Sequence, residues 1–297
     1  MSNYLIIVNP YSGHKQGLKI CSGIKKFLLK KTTNITVQET KYNGHAVIIA
    51  QEIEKDLYTD IIIIGGDGTF SEVVNGIMKR LDNYKPNLGF VPGGTGNSFM
   101  HDLNCLDPKY AMKPIMQNNL KYLDVIEIDV NKQKEYSINI IGWGAANDIG
   151  KTAEYIRWVG SSRYTWASIY SIIFLKKRKA KLIIDGNKTD KKFVFVLICN
   201  TKYTGTGMLA APKACLDDGL FDVIILHQTI SRLQMLNLLP KIFTGEHIKS
   251  KHVEYIQAKS LSLQPYYNES LNIDGEIKLK TPIKIQLVPR AISYYSF

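Results

Sequence analysis

One run of ten residues, D-I-I-I-I-G-G-D-G-T at positions 60–69, constrains the fold of this chain more than any other stretch. Its four consecutive isoleucines are typical of a short strand that is buried on both faces, as in a parallel sheet. Three glycines among the next four residues permit a sharp turn and close approach of the backbone to a ligand. Thr69 and Glu72 have the spacing of a capping box, which predicts that a helix begins at this point. Strand, glycine turn and helix N-terminus together predict a phosphate-binding loop.

Asp67 is unexpected in such a loop. A carboxylate repels phosphate unless it meets Mg²⁺ or a substrate hydroxyl. We therefore interpret Asp67 as a residue that takes part in the reaction rather than one that only supports the fold. A phosphate loop that contains such a carboxylate indicates phosphoryl transfer.

Two more strands end in loops of the same kind. The apolar segment 4–8 leads into N-P-Y-S-G at 9–13, and segment 88–91 leads into P-G-G-T-G-N at 92–97. Three such strands with helical segments between them predict an open α/β sheet, in which ligands bind beyond the carboxyl ends of the strands. Neither G-x-x-x-x-G-K-[ST] nor G-x-G-x-x-G occurs in these loops.

The chain of 297 residues has the length of about two domains. Residues 1–122 alternate strand and helix, with helices predicted at 17–31, 45–57 and 69–81. Residues 123–289 favour an antiparallel sheet or sandwich with helices at 147–159, 164–175 and 231–243. Its strands are predicted at 125–130, 136–141, 181–184, 193–199, 220–226, 260–264 and 283–288. We expect residues 290–297 to pack back on the first domain, and the active site to lie in the interdomain cleft.

The net charge of +12 favours anionic lipid surfaces or phosphorylated ligands, although solubility explains it equally well. The densest basic cluster, 176–179 with Lys181, follows the aromatic stretch 164–175. Such a helix either rests on a membrane interface or, more commonly, belongs to the core and has a solvated end. The sequence carries no nucleic-acid-binding signature, so we expect no nucleic-acid partner.

The four cysteines are scattered without a C-x-x-C pair, which disfavours a disulfide framework or metal cluster and suits a reducing cytoplasm. The N-terminus lacks the plan of a signal peptide, and no apolar run approaches the ~20 residues of a membrane span. We therefore expect a cytoplasmic protein, peripheral at the membrane. A homodimer is compatible with the sequence.

Two segments of the second domain contain carboxylates that could take part in chemistry. In N-I-D-G-E at 272–276, a hairpin turn explains Asp274, because Asp-Gly is a strong turn pair. Glu276 is a candidate to take a proton from an acceptor hydroxyl. The stretch 213–222 holds three aspartates, which suit either Mg²⁺ or a solvated acidic turn.

In this order, the motifs resemble those of the diacylglycerol/sphingosine-type lipid kinases, especially the soluble bacterial branch. The matching segments are N-P-Y-S-G at 9–13, G-H-A at 44–46, G-G-D-G-T at 65–69, G-G-T-G-N at 93–97, D-D-G at 217–219 and N-I-D-G-E at 272–276. G-G-D-G-T alone is shared with NAD kinases and phosphofructokinases. The combination of G-G-D-G-T with the other segments is more specific to the lipid kinases than G-G-D-G-T alone.

The resemblance implies an NAD-kinase-like nucleotide domain and a C-terminal β-sandwich, with ATP as co-substrate and a lipid acceptor at a membrane surface. Asp67 would orient the acceptor hydroxyl or the Mg-nucleotide. Asp274 and Glu276 would supply the base, with Glu276 as the proton acceptor. The residues around the nucleotide would be Asn9, Pro10, Ser12, Gly13, Thr40, Gly65, Gly66, Gly68, Thr69, Gly94, Thr95, Gly96 and Asn97. A structural Mg²⁺ would lie at Cys215, Asp218 and Leu220, with the first and last binding through backbone oxygen.

The chain departs from the family pattern at Ser98, where many bacterial members carry Asp, so the acceptor pocket is expected to differ. We expect diacylglycerol as the acceptor and phosphatidic acid as the product. A sphingoid base, phosphatidylglycerol and a non-lipid alcohol stay open as acceptors. A NAD kinase and a catalytically silent nucleotide-binding protein are the alternative functions.

Overall fold

The computed structural model describes residues 3–205 and 207–297. The chain forms two compact units. The first comprises Met1–Val125 and Arg290–Phe297, and the second comprises Ile126–Pro289.

The first unit alternates strands and helices along the chain. Its elements are β1 (Tyr4–Val8), α1 (Ser12–Lys15), α2 (Gly17–Leu28), β2 (Ile35–Glu39), α3 (His45–Glu52), β3 (Asp60–Gly65), α4 (Asp67–Met78), β4 (Asn87–Pro92), α5 (Ser98–Asp102), α6 (Met112–Gln117) and the first half of β5 (Leu120–Val130). The strands form a parallel sheet in the order β4-β3-β1-β2. All four isoleucines of β3 are fully buried, which confirms the prediction of a strand covered on both faces.

The end of the chain returns to this sheet. Tyr294 pairs in parallel with Leu88 of β4. The Tyr295 hydroxyl donates to Asp60 Oδ1 at 2.5 Å, and Asn87 Nδ2 donates to the same oxygen at 3.1 Å. Asp60 is buried, so these hydrogen bonds satisfy a carboxylate that water cannot reach. Burial, and then the neighbouring Asp60 carboxylate, raise the pKa of Tyr295.

The second unit is built mainly of antiparallel strands. Its elements after β5 are β6 (Gln133–Ser137), β7 (Ile140–Gly144), α7 (Ala145–Tyr155), α8 (Arg163–Ile173), β8 (Arg178–Ile184), β9 (Asn187–Cys199), β10 (Tyr203–Thr204), β11 (Met208–Leu209), β12 (Phe221–His227), α9 (Arg232–Leu238), β13 (Val253–Ala258), β14 (Ser260–Pro265), β15 (Ser270–Ile273), β16 (Glu276–Lys280) and β17 (Ile283–Tyr295), which ends in the first unit. Short 3-10 helices lie at Arg157–Ser162, Leu239–Ile242 and Glu246–Lys249.

The long strand β9 pairs with three other strands of this unit. Its first half pairs with β8, whereas its second half pairs with β7 on one side and with β12 on the other. The sheet order is β16-β15-β7-β9-β8-β14-β17, with β13 beyond β12. Trp143, Phe193 and Phe221 are fully buried in its aliphatic core.

Several predicted elements were wrong in their limits, and two of them bear on charged residues of the second unit. The strand predicted at 136–141 is interrupted after Ser137 and resumes at Ile140, because this segment curves around a carboxylate from a distant part of the chain. The strand predicted at 181–184 begins earlier, at Arg178, so part of the basic cluster belongs to a strand. Arg178 donates to Asp148 Oδ2 and Glu269 Oε1, each at 2.7 Å, and its charge is thereby paired.

Replacing Tyr295 with Phe tests how the C-terminal segment stabilises the first unit. The variant removes a donor to the buried Asp60, so we expect the free energy of unfolding to fall by ~1–3 kcal/mol in chemical denaturation. Tyr267→Phe, at a side chain 83% exposed, is the control and should change stability little. Equal stability of the two variants would contradict this account.

Candidate functional site

Three loops meet at the carboxyl edge of the parallel sheet. The N–H of Asn9 donates to Ile64 O at 2.9 Å, and the N–H of Gly93 donates to Gly65 O at 2.6 Å. On the far side, the N–H of Thr40 donates to Val8 O at 2.9 Å. The structure therefore brings the first-unit residues predicted from the sequence to one edge of the sheet. They are Asn9, Pro10, Ser12, Gly13, Thr40, Gly65, Gly66, Gly68, Thr69, Gly94, Thr95, Gly96 and Asn97.

Asn9 organises the first loop and connects it to the second. Its Oδ1 accepts from the N–H of Tyr11 at 3.0 Å, as in an Asx turn. Its Nδ2 lies 3.3 Å from Thr69 Oγ1, in the first turn of α4. The hydroxyl of Ser12 donates to Asn9 O at 2.9 Å and closes the turn.

The backbones of the three loops touch, and only glycine fits where they do. Gly13 has a φ of +51°, and a Cβ at this position would lie 2.2 Å from Gly93 O. A Cβ on Gly94 would lie 2.6 Å from the Cα of Gly66. These distances are far below a normal carbon contact, so the glycines are required for the loops to pack at all.

Asp67 connects the second and third loops. It is the first residue of α4, and its Oδ2 accepts from the N–H of Ser98 at 2.8 Å. Its Oδ1 accepts from the N–H of Phe99 at 3.0 Å. Hydrogen bonds from N–H groups to an ionised carboxylate are stronger than those between neutral groups. Asp67, which we interpreted as a residue of the reaction, therefore also positions the 93–97 loop. It does so through the short helix α5, which was not predicted from the sequence.

The capping box predicted at Thr69 and Glu72 is wrong. The helix α4 begins two residues earlier, at Asp67, and is preceded by Gly66, which has no side chain to cap it. The Glu72 carboxylate accepts from the N–H of Gly44 at 2.9 Å and of Ala46 at 3.1 Å. It thus satisfies N–H groups at the start of α3, which explains physically why G-H-A accompanies the glycine loops.

In the second unit, Asp274 is enclosed by backbone donors. Its Oδ1 accepts from Ser137 Oγ at 2.6 Å and from the N–H groups of Asn139 and Ile140, each at 3.0 Å. Its Oδ2 accepts from the N–H of Ile138 at 3.2 Å. Asp274 and Gly275 both have positive φ, at +51° and +92°, as in a two-residue hairpin turn of type I′. The carboxylate thus holds the 137–140 loop against the turn between β15 and β16.

Glu276 follows this turn as the first residue of β16. Its side chain is 37% exposed, and its Oε2 lies 3.6 Å from Lys278 Nζ. The same ammonium lies 3.6 Å from Glu135 Oε1. Glu276 is therefore an accessible carboxylate that shares the Lys278 ammonium with Glu135.

The predicted magnesium residues lie in one turn of the second unit. Asp218 Oδ1 accepts from the N–H of Leu220 at 3.0 Å, and Cys215 Sγ lies 3.3 Å from Asp217 Oδ1. One carboxylate and two backbone carbonyls would together supply only oxygen donors, which is the chemistry that Mg²⁺ prefers. Within 3–205 and 207–297, no three His, Cys, Asp or Glu side chains are grouped so as to hold a metal ion.

Asp222, the third aspartate of the 213–222 stretch, lies in a strand and not in a solvated acidic turn. It is fully buried in β12, and burial raises the pKa of its carboxyl to about 6. The interaction with Tyr255 opposes this shift. Burial, and then the interaction with Asp222, raise the pKa of Tyr255. The signal available in the sequence was an aspartate inside an otherwise apolar strand, F-D-V-I-I-L.

Comparison with protein families gives two matches that cover most of the chain. Residues 3–128 match the family described as "Diacylglycerol kinase catalytic domain". Residues 139–296 match the family described as "YegS C-terminal NAD kinase beta sandwich-like domain". The chain therefore belongs to the diacylglycerol kinase family, with its catalytic domain followed by a YegS-type C-terminal domain.

Two curated relatives represent the sequence matches. A diacylglycerol kinase of Bacillus subtilis (strain 168) is 27% identical over 280 residues, which cover 93% of this chain and 90% of that protein. Sphingosine kinase 1 of Arabidopsis thaliana is 27% identical over 312 residues, covering 88% of this chain. The present chain spans 64% of the length of that plant enzyme.

Solved structures share the fold. A diacylglycerol kinase from Bacillus anthracis str. Sterne gives a TM-score of 0.76 at 23% identity, covering 100% of this chain and 97% of that one. An NAD kinase from Archaeoglobus fulgidus, solved in complex with ATP, gives 0.53 at 11% identity, covering 100% and 94%. These likenesses concern the fold alone, and they confirm the predicted NAD-kinase-like architecture. Among the described residues, no helix is long and apolar enough to cross a membrane.

Replacing Gly13 with Ala tests the contact between the loops. We expect the free energy of unfolding to fall by ~1–3 kcal/mol, because the residue is strained at positive φ and its methyl group meets Gly93 O. Gly23→Ala is the matched control. Its Cβ meets nothing within 4 Å in α2, so it should stabilise the protein by ~0.5–1 kcal/mol. Gly13→Ala would refute the packing argument if it were as stable as the control.

Proposed function

We propose that this protein is an ATP- and Mg²⁺-dependent lipid kinase that phosphorylates the hydroxyl of diacylglycerol to give phosphatidic acid. One observation carries the proposal: three interlocked loops meet at the carboxyl edge of a parallel sheet, beside the N-terminus of α4. Backbone N–H groups and the helix dipole at such a point favour bound phosphate. Membership in the diacylglycerol kinase family supports the same reaction.

The first unit would bind the nucleotide. Asn9, Ser12 and Gly13 would line it, Thr40 would add a side-chain contact, and the glycine loops would surround the phosphates. The three loops contain no Lys or Arg, so binding relies on backbone donors. In phosphoryl transfer most of the catalysis is positioning and electrostatic stabilisation. Asp67 would act by holding the phosphate loops in register, and it would orient the acceptor hydroxyl or the Mg-nucleotide.

Glu276 would take the proton of the attacking hydroxyl. Asp274 already accepts four hydrogen bonds within the second unit, so we assign it to positioning the turn that carries Glu276. The sequence left Asp274 and Glu276 as joint candidates for the base, and of these two we choose Glu276.

Magnesium ions would bind at two places. An ion bound with ATP would neutralise charge on the transferred phosphoryl group. A second, structural ion would be held by Asp218 and by the backbone oxygens of Cys215 and Leu220, whose oxygen donors suit it. It would order the 215–220 turn next to the buried Asp222.

A sphingoid base is the second candidate acceptor, and the relationship to the plant sphingosine kinase favours it. Both acceptors are lipids with a hydroxyl, so the membrane surface would be the site of action in either case. The N-P-Y-S-G and G-G-T-G-N loops disfavour a NAD kinase, and the retention of Asp67 and Glu276 argues against a silent protein.

The experiment that tests the proposal is transfer of labelled phosphate from MgATP to diacylglycerol, sphingosine, phosphatidylglycerol and NAD in mixed micelles. We expect transfer to diacylglycerol. Asp67→Asn should abolish it and also lower the free energy of unfolding by ~1–3 kcal/mol, because an amide cannot accept from both Ser98 and Phe99.

Asp185→Asn is the matched control. Asp185 likewise accepts from the backbone N–H groups of Lys259 and Ser260, but it is not among the candidate site residues. Full transfer by Asp67→Asn would remove Asp67 from the mechanism. Transfer to NAD but to no lipid would overturn the lipid assignment.

A second prediction separates the base from the positioning residue. Glu276→Gln should lower kcat ~10²–10⁴-fold without loss of stability, whereas Asp274→Asn should lower the free energy of unfolding by ~1–3 kcal/mol. Glu135→Gln is the control, because Glu135 shares the ammonium of Lys278 with Glu276. A normal kcat in Glu276→Gln, or an equal loss in Glu135→Gln, would exclude Glu276 as the base.

A further inference from the structure

The helix α8 is amphipathic in the reverse of the usual sense. Its buried face carries mainly small or polar side chains, namely Ala167, Ser168, Ser171 and Ile172. Its exposed face carries large apolar ones at helical spacing, namely Trp166, Tyr170 and Ile173, followed by Phe174. A helix of a soluble domain normally turns its large apolar residues towards the core. This one keeps them on the surface and packs through small residues.

The segment before α8 continues this exposed apolar surface. Tyr155 is the last residue of α7, and Trp158 lies between α7 and α8; they are 89% and 85% exposed. At Gly160 the backbone turns with a φ of +79°, and a Cβ there would meet nothing within 4 Å. The helices α7 and α8 pack against each other, so this segment forms the tip of a helical hairpin. Two of the three tryptophans of the chain, Trp158 and Trp166, are thus exposed on one hairpin.

The neighbouring helix α9 adds apolar surface. It packs against α8, and its residues Leu233 and Leu236 are exposed. A concentration of exposed large apolar side chains on adjoining elements marks an interaction surface, whereas single exposed residues are ordinary.

Positive charge predominates around this hairpin, although its first helix, α7, also carries Asp148 and Glu154. Residues 155–184 contain seven Lys or Arg and no Asp or Glu. Arg178 is paired with Asp148 and Glu269, but Lys176 and Lys177, which follow Phe174 after Leu175, are exposed. An apolar face flanked mainly by cations is complementary to an anionic surface.

We propose that the hairpin face formed by Tyr155, Trp158, Trp166, Tyr170 and Phe174, flanked by Lys176 and Lys177, docks the protein on an anionic phospholipid bilayer. The inference builds on the proposed lipid kinase function, for which it names the surface that meets the membrane. Tryptophan and tyrosine have a large apolar body and a polar tip, and they concentrate at the boundary between hydrocarbon and water. Lysines beside them would meet lipid headgroups.

The tryptophans of this chain allow a direct test. The third, Trp143, is fully buried, so any change in the emission of exposed tryptophan on adding vesicles comes from the hairpin. We expect a blue shift with phosphatidylglycerol-containing vesicles, a smaller one with phosphatidylcholine alone, and quenching by lipids brominated near the interface. Unshifted emission from protein that co-sediments with the vesicles would overturn the proposal, because another surface would then be bound.

Variants measure the contribution of each part. Trp158→Ser/Trp166→Ser should weaken partition into anionic vesicles about tenfold or more, and Lys176→Ala/Lys177→Ala about fivefold per lysine at low salt. The matched control is Leu81→Ser/Tyr267→Ser, which removes two other highly exposed apolar side chains. Equal vesicle binding by wild type and the tryptophan variant would overturn the proposal. So would loss of a dimer in gel filtration with vesicle binding unchanged, which would assign the face to a second copy.

Two readouts separate this proposal from the proposed function. Vesicle binding is measured without ATP and does not depend on catalysis. Transfer to a short-chain diacylglycerol below its critical micelle concentration does not depend on docking. The docking proposal predicts that the tryptophan variant keeps normal transfer to this soluble acceptor and loses transfer to diacylglycerol in vesicles. Failure of transfer in both assays by the wild type, with vesicle binding intact, would contradict the kinase function alone.

Discussion

The Asp67 carboxylate is the point at which the candidate site is held together. A loop rich in glycine loses more conformational entropy on folding than other segments do, so three such loops need fixed contacts in order to share one geometry. Asp67 supplies two of them by accepting from the N–H groups of Ser98 and Phe99. Direct backbone contact at Gly13 and Gly94 then leaves room for no larger residue. The loops behave as one interlocked unit, which is the preorganisation that phosphoryl transfer requires.

In the second unit, too, charged side chains hold loops and strands in place through several hydrogen bonds each. Asp274 is buried and accepts four hydrogen bonds from the 137–140 loop, and Arg178 is held between Asp148 and Glu269. A buried ionised group is stable only where such partners surround it. Glu276 differs because it is partly exposed and shares its single ammonium partner. The contrast between an enclosed carboxylate and an accessible one, separated by a single residue, is the physical ground for giving them different roles.

The sequence predicted the elements that local pattern determines, and it failed where distant segments meet. The isoleucine strand and the glycine turns follow from residues adjacent in the chain. The partners of Glu72 lie 26 and 28 residues away, so the short T-x-x-E spacing gave a capping box that the structure does not contain. The break after Ser137 depends on Asp274, 137 residues distant. Exposure of the aromatic residues of α8 was likewise hidden from a pattern that equally fits a core helix.

Hydrogen–deuterium exchange with and without MgATP tests the central claim most directly, because it reports on backbone N–H groups without needing the acceptor. We expect slower exchange on adding MgATP at residues 9–13, 65–69 and 93–97 together, since the three loops share contacts. Asp67→Asn should reduce this protection in the 93–97 loop in particular. Protection confined to one loop, or none in any of them while ATP binds elsewhere, would contradict the claim that these loops form a single nucleotide site.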